Sequence, residues 1–177
     1  MPKKIKLDNL NATRNLARQL WHEIKNDRER STILLEGELG SGKTTFSQYF
    51  LQAAGAAGPF ASPTFVIMKE YFLPSPSNKT NKNPRNSLVM HSNIISPAKI
   101  RKKRIYHFDC YRVSPANILD LGWEELINNQ ENVLLVEWAE KIQKIWPKKY
   151  YRLIFRHQSS TPKPFQNSTR SVLMEQR

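Results

Sequence analysis

The sequence predicts an α/β fold: a largely parallel central sheet with flanking helices and antiparallel edge strands, as one domain over residues 1–177. Three observations carry this. The apolar residues Ile33, Leu34 and Leu35 lead directly into a glycine-rich turn, and Phe46, Phe50 and Leu51 then recur at helical spacing. The unbroken run Val133, Leu134, Leu135, Val136 has the composition of a strand buried on both faces, as parallel strands are. Between them, residues 104–112 alternate, with Ile105, His107 and Asp109 on one side and Tyr106, Phe108 and Cys110 on the other.

Taken in order, residues 4–7 read as a short edge strand. Asp8 or Asn9 caps a helix whose apolar face carries Leu16, Leu20 and Ile24 and which runs to about Lys25. After a charged turn at 26–30 come the first buried strand and its helix, the latter ending near Gly55 or Gly58. Residues 62–72 read as the next strand, entered from a loop containing Pro59 and Pro63. Pattern is lost at about 74–103, where prolines lie among Asn, Ser and Lys, and this is expected to be a flexible, basic insertion. Ser114 and Pro115 open a helix, and Gly122 separates it from a second. A helix follows Glu137 and stops at Trp146-Pro147. Residues 150–155 read as a strand, 159–167 as a polar loop, and 171–174 as the return strand of a terminal hairpin, with the end of the chain a polar tail.

The totals exclude several classes. No apolar run approaches the roughly 20 residues of a membrane helix, and the first residues lack the apolar core of a secretory signal. One cysteine, Cys110, rules out an intramolecular disulfide, and a cytoplasmic location is expected. The net charge of +13 is uneven. Residues 75–104 contribute +8 and residues 156–177 contribute +3, leaving +2 for everything else. Such a segment suits either contact with nucleic acid or simple solvation.

The chemistry is concentrated in G37-E-L-G-S-G-K43-T44, which matches G-x-x-x-x-G-K-[ST] at every fixed position, between a strand and a helix. Its glycines let backbone N–H groups turn inward around a phosphate, and the helix directs the positive end of its dipole at the same anion. Lys43 supplies a point charge for β- and γ-phosphates, and the Thr44 hydroxyl is a magnesium ligand. The fold is therefore expected to be P-loop NTPase-like. Thr64 precedes a strand, where its hydroxyl either faces a ligand or merely belongs to a turn. Asp109 ends a strand, where such proteins hold a magnesium-bound water or where a turn simply begins. Glu137 is delivered by the end of the 133–136 strand toward the phosphates.

Four signatures in this order, GELGSGKTTF at 37–46, SPTF at 62–65, HFDCYR at 107–112 and VEWAEKI at 136–142, resemble the TsaE (YjeE) family. LGWEE at 121–125 fits as well, and the likeness covers about 5–157 apart from the insertion. The family is an ATPase supporting threonylcarbamoyladenosine modification of tRNA, so the resemblance implies ATP and Mg2+ as cofactors. It implies TsaD- and TsaB-like partners. Slow turnover alone and activation by a partner are expected because the sequence shows no clear arginine finger, a residue often supplied in trans. Residues Glu38, Leu39, Gly40, Ser41, Gly42, Lys43, Thr44 and Thr45 would wrap the phosphates. Thr64 would be a nucleotide-sensing switch residue, Asp109 the Walker-B-like aspartate, and Glu137 a metal-site or water-orienting acid. Trp138 would lie at the nucleotide, and Thr13 near the base. On that reading Lys43, Asp109 and Glu137 are catalytic, and Thr44, Asp109 and Glu137 form the metal site. The rival readings are a small P-loop kinase acting on a small-molecule acceptor and an RNA-binding module. The basic segment, which has no aromatic residue for stacking, weighs against the second. Arg112 is the candidate for a cation in cis.

Overall fold

The computed structural model describes residues 2–27, 29, 31–74, 102–158 and 169–177. Its elements are β1 (Lys3–Leu7), α1 (Leu10–Ile24), β2 (Thr32–Glu36), α2 (Lys43–Ala54), β3 (Met68–Phe72), β4 (Arg104–Asp109), α3 (Pro115–Leu119) and α4 (Trp123–Asn128). They continue with β5 (Asn132–Glu137), a 3-10 segment (Ala139–Ile145), β6 (Tyr151–Gln158) and β7 (Thr169–Gln176). The strands form one sheet in the order β1-β7-β6-β2-β5-β4-β3. The inner four, β6, β2, β5 and β4, are parallel; β3 pairs antiparallel with β4 on one flank, and on the other β7 pairs antiparallel with both β6 and β1. This is the expected fold class.

Composition explains the layering. β2 and β5 are buried throughout, so both their faces must be covered. One face, with Ile33, Leu35, Leu153 and Val172, packs on Leu16, Leu20 and Ile24 of α1 and on Phe46, Phe50 and Leu51 of α2. The other, with Leu34, Phe108, Leu134 and Val136, packs on Ile118, Trp123 and Ile142. Asn9 caps α1, its side chain accepting from the Ala12 N–H at 2.9 Å. Gly55, left-handed at φ 78°, ends α2.

Three segments differ from the sequence reading. Residues 62–67 are not strand: the N–H groups of Val66 and Ile67 both donate to the Pro63 carbonyl, at 3.0 and 2.7 Å. Ser62 and Thr64 are tied to Asp109, which draws this stretch across the end of the sheet, and the ladder with β4 begins only at Met68. The helix after Glu137 is a tight 3-10 segment broken at Ile142. The return strand expected at 171–174 is β7, paired antiparallel with β6; it extends to Gln176, where a polar tail was expected, and is held between β6 and β1.

Of the expected insertion at 74–103, residues 75–101 lie outside the described residues, as does the whole of the loop expected at 159–167. The basic residues on its returning arm are engaged. Lys102 is buried and donates to the Ser31 hydroxyl at 3.0 Å and the Gln130 carbonyl at 2.8 Å. Lys103 pairs with Glu131 and Arg104 with Glu70.

Candidate functional site

The turn between β2 and α2 folds into an anion cradle because three glycines take conformations closed to other residues. Gly37 has φ 131°, Gly40 φ 74° and Gly42 φ 109°. At Gly37 the restriction is steric as well, since a Cβ there would collide with the Phe155 carbonyl oxygen of β6. The Lys43 ammonium donates to the Gly37 carbonyl at 2.6 Å and the Glu38 carbonyl at 3.0 Å, and sits 3.7 Å from the centre of the Trp138 ring. Burial pushes its pKa down, and the negative charges of Glu137, Glu140 and Asp109 oppose that shift. The buried Ser41 hydroxyl has no hydrogen-bond partner among the described residues. Residues 39–45, Trp138 and Arg170 line a cleft of about 160 Å3. That is room for phosphate groups rather than a whole nucleotide, whose sites run from roughly 300 Å3. A larger groove of about 920 Å3 lies by Trp146, Tyr150 and Arg152, but Arg152 is already paired with Glu36 and Glu175.

The two acids meet at the end of the sheet. Asp109 and Glu137 are direct partners in the parallel β4–β5 pair. Glu137 is 1% exposed and both its oxygens are engaged: Oε2 accepts from the Thr44 hydroxyl at 2.7 Å, and Oε1 lies 2.8 Å from His107 Nε2. Facing a carboxylate, Nε2 is the donor of this contact, and Nδ1 is buried and unpartnered among the described residues. Asp109, 5% exposed, accepts on Oδ2 from Ser62 at 2.8 Å and Thr64 at 2.6 Å, and on Oδ1 from the Tyr111 N–H at 3.0 Å.

This donor set fits one kind of metal site. Among the described residues no three His, Cys, Asp or Glu side chains gather to hold a cation. Thr44 gives its proton to Glu137 and keeps its lone pairs free. That suits magnesium, which retains several waters and takes few protein ligands, with the acids bracing the hydroxyl and the waters.

The sequence-predicted residues divide accordingly. Leu39, Gly40, Ser41, Gly42, Lys43, Thr44, Thr45 and Trp138 line the cleft. Glu38 stands at its rim and contributes a carbonyl to Lys43. Thr64 reaches Asp109 rather than the cradle. Thr13 is buried on α1 and is not among the cleft residues. Arg112 is exposed, 5.9 Å from the Phe65 ring centre. Three residues were missed. Ser62 was inside a quoted motif, and His107 was on the same strand face as Asp109, so both were within reach. Arg170 gave no local signal.

The family model "Threonylcarbamoyl adenosine biosynthesis protein TsaE" matches residues 7–82 and 86–166. The tRNA threonylcarbamoyladenosine biosynthesis protein TsaE of Rickettsia prowazekii is 31% identical over 139 residues, 77% of this chain and 74% of that protein. The protein of the same name from Bacillus subtilis is 32% identical over 70% of this chain and 60% of its own length. For Haemophilus influenzae the figures are 32%, 65% and 56%, so the match spans little more than half of that relative. The crystal structure of Bacillus subtilis YdiB superposes with a TM-score of 0.59 over 98% of this chain and 86% of that one, at 24% identity, which speaks for the fold. By the extent of the family match, the chain belongs to the TsaE family.

Proposed function

We propose that this chain is a Mg2+-dependent ATPase subunit supporting threonylcarbamoyladenosine modification of tRNA, working with TsaB- and TsaD-type partners. The observation that carries the reading is the hydrogen bond from Thr44 to Glu137, which couples the end of the phosphate loop to an acid delivered by the neighbouring strand. Magnesium, when bound, neutralises charge on the β- and γ-phosphates. The chain's own groups do the rest. Backbone N–H groups of the loop and Lys43 hold the phosphates. Glu137 fixes the direction of the Thr44 hydroxyl, and His107 holds the far oxygen of Glu137. Asp109 is the acid left to orient a water, and its links to Ser62 and Thr64 let the 62–67 turn respond to what the site contains.

Two features support slow turnover alone and activation by a partner. Lys43 is held by its own loop's carbonyls, so phosphate entry must displace those bonds. Leu39, which lines the cleft, and Tyr111, whose ring packs on Trp138 of the same cleft, are 79% and 44% exposed, apolar surface suited to a protein cover. Turnover of ATP measured with and without TsaB- and TsaD-type proteins tests the proposal: a large acceleration is expected, and equal, fast rates in both would defeat it. tRNA affinity through the basic segment is a separate arm, read by deleting 75–101.

A further inference from the structure

We propose that Arg170 is a phosphate-binding residue of this site, a cation brought by β7 to the flank of the cradle opposite the two acids. The inference rests on the reading that the loop holds nucleotide phosphates, and it adds a ligand that the loop motif does not contain. Arg170 lines the cleft together with residues 39–45 and Trp138. Its Nη1 lies 3.6 Å, and its Cδ 3.9 Å, from where a Cβ on Gly42 would stand. The side chain therefore lies over the residue that opens α2.

Its electrostatic surroundings are unusual. Arg170 is half-buried, and among the described residues its guanidinium has no carboxylate or carbonyl partner. Arg152, on the neighbouring strand, shows the ordinary solution: it bonds both oxygens of Glu36 and reaches Glu175 as well. Arg170 instead faces a cleft that already holds the Lys43 ammonium and the positive end of α2. Three positive sources converging on one small cleft repel each other unless an anion joins them. A guanidinium offers paired N–H donors that match two phosphate oxygens, which a second ammonium would not.

Topology assigns its role. β2 carries the loop; β5 and β4 bring Glu137 and Asp109 from one side, while β6 and β7 bring Arg170 from the other. Arg170 thus contacts phosphate oxygens turned away from the acids. It strengthens the binding of nucleoside diphosphate and triphosphate alike and leaves the hydrolytic step to the opposite flank.

The test uses the full chain with Arg170→Gln and Arg170→Lys, titrated with N-methylanthraniloyl ADP and ATP, alongside steady-state turnover at saturating ATP and thermal unfolding. Arg170→Gln is expected to weaken both probes by a similar factor, about tenfold. Arg170→Lys should recover part of the loss, and the unfolding midpoint should stay near wild type. Wild-type affinity for both probes in the Gln variant would overturn the inference while leaving the nucleotide reading intact. So would a loss confined to kcat, the mark of a cation acting in the transition state. Failure of the wild-type chain to bind either probe would remove the nucleotide reading and the inference with it.

Discussion

Replacing Glu137 by Gln isolates the coupling at the centre of the site, because shape is preserved and only charge and one acceptor are lost. Two donors point at this side chain, the Thr44 hydroxyl and His107 Nε2, at 2.7 and 2.8 Å. An amide has one acceptor oxygen for the two of them. If it serves Thr44, the amide NH2 faces His107, whose proton must move to Nδ1, a buried atom with no partner among the described residues. If it serves His107, Thr44 must turn round to accept from the amide, and its lone pairs swing away from the metal position. Either arrangement gives up charge-assisted bonds of about 1.5–3 kcal/mol each, offset in part by not burying a charge. The expected net loss is about 1–3 kcal/mol, a fall of roughly 3–10 °C in unfolding midpoint for a chain of this size. Turnover should drop about 10²- to 10³-fold, the scale seen when a preorganised group is removed. Nucleotide affinity, set by loop and lysine, should move far less. Differential scanning fluorimetry and a phosphate-release assay read the two effects. A Gln variant with wild-type midpoint and wild-type turnover would refute the argument that Glu137 is a charged double acceptor.

Lys43→Ala should lower ATP affinity by at least about 100-fold, measured by fluorescent-nucleotide titration, since it removes the ammonium that lines the cradle. Gly37→Ala should destabilise by about 2–4 kcal/mol in urea unfolding because its Cβ meets the Phe155 carbonyl; Gly40→Ala, with nothing within reach, should cost only about 1 kcal/mol. Lys102 gives a pH signature, because burial depresses its pKa from 10.5 to about 8. Below pH 8 it is charged in both folded and unfolded chains, and the full burial penalty applies. Between about 8 and 10.5 the folded chain sheds the proton first, so this group makes stability rise with pH. Allowing for solvent screening, the rise is about 1–2 kcal/mol, and urea midpoints of Lys102→Met should lack it.

Much of this was legible because it was local. The phosphate loop, its strand and its helix lie on one continuous stretch, and periodicity located α1, β2, α2 and β5 without knowledge of their neighbours. The two acids were also readable, since strand ends in parallel sheets point at one edge. What failed was non-local. Residues 62–67 carry strand-forming types, yet their conformation is decided by hydroxyl bonds to Asp109, far along the chain. Arg170 lies in a segment with no motif, and its place beside Gly42 follows only from β7 pairing with β6. Thr13 is one of the buried residues of α1.

The insertion of β7 between β6 and β1 bears on how the chain acquires its shape. Among the described residues, Lys3–Leu7 finds its ladder partner in Arg170–Met174, at the opposite end of the described chain. Until β7 docks, β6 has an open edge beside the strand that carries the loop, and β1 has nothing to join. Assembly is therefore expected to be slow, limited by closure across nearly the whole chain. Clipping residues 169–176 would not trim an appendage; it would unzip one side of the sheet and release the amino-terminal strand.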